Sequence, residues 1–378
     1  MLEKRKTNSE KRALAILYSP KTLIDFTWYY HTYGRDYKWD VLIIACDLKI
    51  KIKTQCERSG MFENIFIEDV NYDKISRSGQ ALMFLDMFFC WMFGRKKKYV
   101  SRFFKKKGII LDYSLHLICS NYASLVSGLL LCYSDEIATV ILEDGMTDYL
   151  DRTMKFDKTA PHTLDAFIAY IMCKMNYASL NTGDCARYIT RNSLLCDKFS
   201  VRPELMKYKG YRSINQLGDN SHTDVAGYKA CVDRMYEIED REKYKADVIL
   251  YSSVLNSFVK DDKIDFAAMT VEYIMNTFNP SRVLLKKHPR DEAEYVFPKG
   301  VEVSVIPADL PAELIADIVD AGGHVFMYTS TMLMSYRDYD KVKILVYRAI
   351  AEENEVYAGV IANYLEIMSL PKACIAEV

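Results

Sequence analysis

Residues 138–145 read ATVILEDG: a short, mostly branched and apolar run, Ala138 to Leu142, then two carboxylates, Glu143 and Asp144, and a glycine, Gly145. A run of this length without polar alternation predicts a strand buried on both faces, the kind found in parallel sheets. The Asp-Gly step that follows is a turn signal and ends it.

The same pattern recurs on both sides of this stretch. Upstream lie ALAILY (13–18), VLIIAC (41–46), IFI (65–67) and LHLIC (115–119). Downstream lie DVILY (247–251), VLL (283–285), VEVSVI (301–306), VFMY (325–328) and VKILV (342–346). Segments of helical character, such as 266–278 and 311–321, fall between them, which is the βαβ pattern. Two series of strands separated by the polar stretch NQLGDNSHTDVA (215–226) predict two consecutive doubly wound α/β domains, 1–215 and 216–378. Residues 186–240 read as helix-rich and could serve either domain.

Composition narrows the class. The chain has 378 residues, half of them apolar, and a formal net charge of -1. That describes a folded protein whose overall charge selects no polyanionic partner. Its ten cysteines have no C-x-x-C spacing and lie mostly in apolar runs, as buried free thiols of a reducing compartment do. His116 and Cys119 have no second pair to complete a zinc site. The N-terminus lacks the apolar stretch of a secretory signal. The most apolar segment, ALMFLDMFFCWMF (81–93), is interrupted by Asp86 and falls short of a membrane span. A cytoplasmic protein, able to rest on a membrane without crossing it, is expected. No G-x-G-x-x-G or Walker A pattern occurs, which argues against a dinucleotide oxidoreductase and a P-loop NTPase.

Ligands of open α/β sheets bind at the carboxyl ends of the strands, so the residues there are the candidates for chemistry. A carboxylate at 143 or 144 can take a proton from a substrate hydroxyl. Successive strand residues point to opposite sides, so one of the pair is expected to be the base and the other to brace the loop. The residues leave open which, and Gly145 allows a left-handed turn. Read blandly, Asp-Gly is a turn and nothing more.

SRVLLKKHPR (281–290) ends a strand of the second domain on His288. Pro289 holds His288 extended, with Lys286, Lys287 and Arg290 beside it. Such a group suits a phosphate: cations supply charge and the imidazole a proton for a leaving oxygen. VFMYTSTM (325–332) runs from a strand into Thr329, Ser330 and Thr331, hydroxyls that serve equally as an anion site or a helix cap. IPADLPAELI (306–315) sets Glu313 in a first helical turn, where it can accept ribose hydroxyls or simply face the helix dipole. GRKKKYVSRFFKKKG (94–108) carries Arg95, Lys96, Lys97, Lys98, Arg102, Lys105, Lys106 and Lys107 with no acid, and Tyr99, Phe103 and Phe104 interleave at helical spacing. This stretch suits an anionic surface of lipid headgroups, polyanionic glycan or nucleic acid.

In order, Glu143-Asp144-Gly145, His288-Pro289 and Thr329-Ser330-Thr331 resemble the D/E-D/E-G, H-P and hydroxyl motifs of the bacterial sialyltransferases. The PAEL segment with Glu313 looks like their ribose-holding element. The resemblance spans roughly residues 140–335. It is nearest the capsular polysialyltransferases of glycosyltransferase family 38, with the lipooligosaccharide sialyltransferases of family 52 close behind. It implies a GT-B fold of two Rossmann-like domains facing a cleft, with an N-terminal acceptor-binding and a C-terminal CMP-sugar-binding domain. It also implies CMP-sialic acid as donor, inversion at the anomeric carbon, and neither metal nor cofactor. The one D-x-D match, Asp338-Tyr339-Asp340, does not follow an apolar strand. On this resemblance Glu143 or Asp144 is the base and His288 the acid. Pro289, Glu313, Thr329, Ser330 and Thr331 would bind CMP, and the basic stretch would meet the acceptor or the membrane. The expected partners are an anionic glycan acceptor, the cytoplasmic face of the inner membrane and the capsule export machinery, and not nucleic acid.

Overall fold

The computed structural model describes residues 11–44, 48–68, 77–119, 125–143, 194–206, 210–240, 242–253, 265–288, 291–307, 310–318, 323–328, 341–368 and 375–377. Asp144, Gly145, Pro289, Arg290, Thr329, Ser330 and Thr331 lie outside the described residues. The chain divides into two compact units, Met1–Glu237 and Ile238–Val378.

The first unit is built on seven parallel strands: β1 (Arg12–Leu17), β2 (Lys38–Ile43), β3 (Phe62–Ile67), β4 (Leu115–Cys119), β5 (Ala138–Leu142), β6 (Asp197–Ser200) and β7 (Ser213–Gln216). Their spatial order is β3-β2-β1-β4-β5-β6-β7. The inner strand β1 is apolar from Ala13 to Leu17, and all five of these residues are fully buried. Its helices are α1 (Pro20–Tyr29), α2 (Lys49–Ser59), α3 (Arg77–Met92), α4 (Lys96–Lys105), α5 (Leu125–Leu130) and α6 (Val225–Tyr236). α1 starts where Ser19 and Thr22 form a reciprocal capping box ahead of Pro20, and α2 stops at Gly60 in the left-handed region, φ 68°.

The sequence put the domain boundary at residue 215, whereas the compact first unit runs on to Glu237. β7 completes the first sheet and α6 packs back onto the same unit. Trp28 Nε1 donates to Asn220 Oδ1 at 3.3 Å, and Arg234 donates to the Ser59 carbonyl at 2.8 Å. The region expected to be rich in helix thus contains β6 and β7 as well.

The second unit holds six parallel strands: β8 (Val248–Tyr251), β9 (Arg282–Lys286), β10 (Glu302–Val305), β11 (His324–Met327), β12 (Val342–Val346) and β13 (Ile375–Glu377). They are arranged β10-β9-β8-β11-β12-β13. Its helices are α7 (Phe266–Phe278), α8 (Ala312–Ile318), α9 (Arg348–Glu353) and α10 (Glu355–Met368). Asp265 caps α7 by accepting from the Ala268 N–H at 2.9 Å, and Asn279 ends it with φ 43°. β11 can lie against β8 because Gly323 precedes it: a Cβ there would come within 2.4 Å of the Ala246 carbonyl oxygen.

Counted within each unit, both sheets follow the order 3-2-1-4-5-6, with one further strand on the first. The order reverses between β1 and β4, and again between β8 and β11. The expected α/β class and the two Rossmann-like sheets of the GT-B architecture are therefore present. Cys56, Cys90, Cys132, Cys196 and Cys231 are free thiols, four of them buried. No helix of the described residues is long and apolar enough to cross a membrane.

Candidate functional site

In the first unit, Glu143 is the residue immediately after β5 and is 1% exposed. Its Oε2 accepts from the Ser200 hydroxyl at 2.9 Å and from the Val201 N–H at 2.7 Å. Both donors stand at the carboxyl end of β6, the neighbouring strand. Lys198 reinforces the junction: fully buried, it donates from Nζ to the Leu142 carbonyl at 3.0 Å and lies 5.8 Å from the Tyr211 ring centre. A buried carboxylate holding two donors fixes the backbone from which residue 144 departs. Of the two acids, Glu143 has the bracing arrangement.

In the second unit His288 lies close to the point where the strand order reverses. β8 ends at Tyr251, and Ser252 follows. β9 ends at Lys286, and His288 follows two residues later, half-buried. The His288 N–H donates to Ser252 Oγ at 3.0 Å, and the His288 carbonyl accepts from the Asp291 N–H at 2.9 Å. The loop beyond carries Tyr295, whose hydroxyl donates to Asp291 Oδ2 at 3.1 Å and lies beside the hydroxyls of Ser252 and Tyr328.

Tyr328 is fully buried at the end of β11, directly before the Thr329-Ser330-Thr331 motif. Its hydroxyl meets Thr270 Oγ1 of α7 and accepts from the Tyr347 hydroxyl at 3.3 Å. Tyr347 follows β12 and also bonds Thr270 and the Phe266 carbonyl. Burial raises the phenol pKa of Tyr295, Tyr328 and Tyr347 above its ordinary value, so all three remain neutral hydroxyls at physiological pH. One hydroxyl network therefore ties the strand end that carries His288 to the strand end from which the hydroxyl motif leaves.

Sequence reasoning missed Ser252, Thr270, Tyr295 and Tyr347. A signal was present for part of the set: VFMY and KILVY each run an apolar strand straight into a tyrosine. Buried tyrosines need partners for their hydroxyls, so two at one edge point to a shared polar network.

The lysines beside His288 are occupied differently from expectation. Lys286 is buried and donates to the Pro307 carbonyl at 2.8 Å. Lys287 donates to the Ala293 carbonyl at 2.8 Å. Both ammonium groups fasten loops of the second unit. Glu313 lies in the first turn of α8, half-exposed, while Leu314 and Ile315 anchor that turn in the core.

The basic stretch forms α4 and its flanks, as its spacing predicts. Tyr99, Val100 and Phe104 are its buried face. Its cations are not all unopposed: Lys97 pairs with Asp135 at 2.8 Å and Glu136 at 2.6 Å, Arg102 with Asp86 at 3.0 Å, and Lys107 with the buried Glu68. The acids come from segments distant in sequence. No group of three or more His, Cys, Asp or Glu placed to hold a metal ion occurs among the described residues.

No protein-family model matches the chain, and no curated protein does. Among solved structures it is similar to UDP-N-acetylglucosamine 2-epimerase from Rickettsia bellii, with 10% identity over 96% of this chain and 89% of that one and a TM-score of 0.45. A UDP-glucosyltransferase from Polygonum tinctorium gives 10% identity, 96% and 94% coverage and a TM-score of 0.45. MurG from Acinetobacter baumannii gives 9%, 93% and 83%, and 0.39.

Proposed function

We propose that the protein is an inverting, metal-independent glycosyltransferase that moves sialic acid from CMP-sialic acid to the non-reducing end of a sialylated acceptor, extending a polysialic acid capsule. The observation that supports this most is the hydroxyl network of the second unit. It brings the His288 loop beside the strand end that precedes Thr329, Ser330 and Thr331 in sequence.

In this reading the acceptor hydroxyl attacks the anomeric carbon on the face opposite CMP, and the departing sugar has oxocarbenium character. His288 donates a proton or hydrogen bond to the leaving phosphate, and Thr329, Ser330 and Thr331 share its charge. Pro289 keeps the histidine extended, and Glu313 holds the ribose. Asp144 takes the acceptor proton. Glu143 braces it, a division favoured by the burial of Glu143 and its bonds to Ser200 and Val201. Acid–base groups of this kind each contribute on the order of 10² to 10⁴ in rate. The first unit would receive the anionic glycan and the second the nucleotide. The enzyme would work peripherally on the cytoplasmic face of the inner membrane, near the capsule export machinery.

Incubating the purified protein with CMP-sialic acid and a trisialyl oligosaccharide tests this. The expected result is CMP release with a ladder of longer products, abolished in His288→Ala. No CMP release with any sialylated acceptor would end the reading. A single addition would move the assignment to a lipooligosaccharide-type sialyltransferase. Transfer retained in His288→Ala would exclude the proposed role of the histidine.

A further inference from the structure

α3 and α4 carry matching stripes. On α3, Leu82, Leu85, Phe89, Met92 and the following Phe93 recur at i, i+3, i+7, i+10 and i+11, which places them on one face of a helix. All five are exposed, Leu82 by 69% and Phe93 by 66%, while Met87 on the other side is buried. On α4 and its flanks, Arg95, Lys98, Arg102, Lys105 and Lys106 recur with the same spacing, and all five are exposed. The stripes lie beside each other because Asp86, at the edge of the apolar one, receives both bonds of Arg102, each 3.0 Å. That pair also neutralises the one acid at the apolar edge. The other four cations of the stripe have no acidic partner among the described residues.

We propose that this paired surface docks the protein on an anionic phospholipid bilayer, with α3 lying in the interface plane and the basic stripe against the lipid phosphates. The inference builds on the peripheral placement proposed above but is independent of the transfer chemistry. A contiguous apolar face of this size gains little against water, a glycan or a nucleic acid, none of which offers hydrocarbon. A bilayer offers hydrocarbon under negative headgroups, and the two stripes meet both demands. A second copy fits less well. A two-fold interface over α3 would offer the basic stripe no free acid, since Asp86, the one acid of α3 and α4, is already paired with Arg102.

The test uses the full chain with vesicles of phosphatidylcholine alone or mixed with phosphatidylglycerol, read by cosedimentation. Binding is expected only with phosphatidylglycerol. Leu85→Ser with Phe89→Ser should weaken it by about tenfold or more, and Lys105→Glu with Lys106→Glu by a similar factor. Transfer to a soluble acceptor, measured without vesicles, should be unchanged in the Leu85/Phe89 variant, so failure of docking and failure of transfer are read separately. Equal binding to both vesicles, or undiminished binding by the folded Leu85/Phe89 variant, would each overturn the proposal. So would a solution dimer that the same two substitutions dissociate.

Discussion

The Ser200 hydroxyl and the Glu143 carboxylate meet at 2.9 Å across the carboxyl ends of β5 and β6, where Glu143 is almost wholly buried. The contact gives Glu143, the first acid of the Glu-Asp-Gly motif, a bracing environment. Glu143→Ala should lower unfolding free energy by about 2–4 kcal/mol, because the Ser200 hydroxyl and the Val201 N–H lose a charged acceptor. Glu143→Gln keeps an acceptor oxygen and should lose about half as much. Asp144→Asn should leave the urea midpoint unchanged and reduce CMP release by about 10² to 10⁴. The opposite pattern, an inactive but fully stable Glu143→Gln, would exchange the roles.

Tyr295→Phe removes one hydroxyl that bonds Asp291 and lies beside those of Ser252 and Tyr328. The loss in stability should be modest, about 1 kcal/mol. The loss in kcat should be larger, about tenfold, because the His288 loop is no longer fastened to the strand end before Thr329. Donor titration and single-turnover rates on the purified variant separate the two effects.

His116, fully buried on β4, has no hydrogen-bond partner for either ring nitrogen among the described residues, and burial lowers its pKa to about 3. The unfolded chain protonates near pH 6.5, so between pH 6.5 and about 3 it binds the extra proton. The histidine's contribution to stability is therefore intact above pH 6.5 and falls by about 1.4 kcal/mol per unit as the pH drops through that window. At pH 5 the loss is about 2 kcal/mol. His116→Leu should flatten this part of the stability profile, measured by urea unfolding at pH 7.5, 6 and 5.

Gly323→Ala should cost about 1–3 kcal/mol, since the new methyl meets backbone oxygens of Ala246 and Asp247 that cannot move without parting β8 from β11. Tyr328 would shift with β11. Weakened binding of CMP in a thermal-shift assay, beyond what the lowered melting temperature alone explains, would link that displacement to the proposed nucleotide site.

Much of the fold was legible in the sequence. The apolar runs at 115–119, 138–142 and 342–346 coincide with β4, β5 and β12, and 266–278 is α7. β6 and β7 were missed because DKFS and SINQ are four-residue strands with too little apolar content to stand out from their loops. Glu143 and His288 could be found because each follows a readable strand. Their partners could not: Ser200 lies 57 positions from Glu143 and Ser252 lies 36 from His288, separations that only the sheet order brings together. The basic helix was readable for the same local reason that its counter-ions at Glu68, Asp86, Asp135 and Glu136 were not.

The hydroxyl network of Thr270, Tyr295, Tyr328 and Tyr347 spans a helix, a loop and two strand ends of the second unit. Such bracing orders the surrounding backbone during folding. If the proposed nucleotide binds at that edge, these four residues need no further ordering and should add little conformational-entropy penalty. Calorimetry would show this as affinity that rests on pre-organisation, and Tyr295→Phe should bind the same nucleotide with a larger opposing entropy.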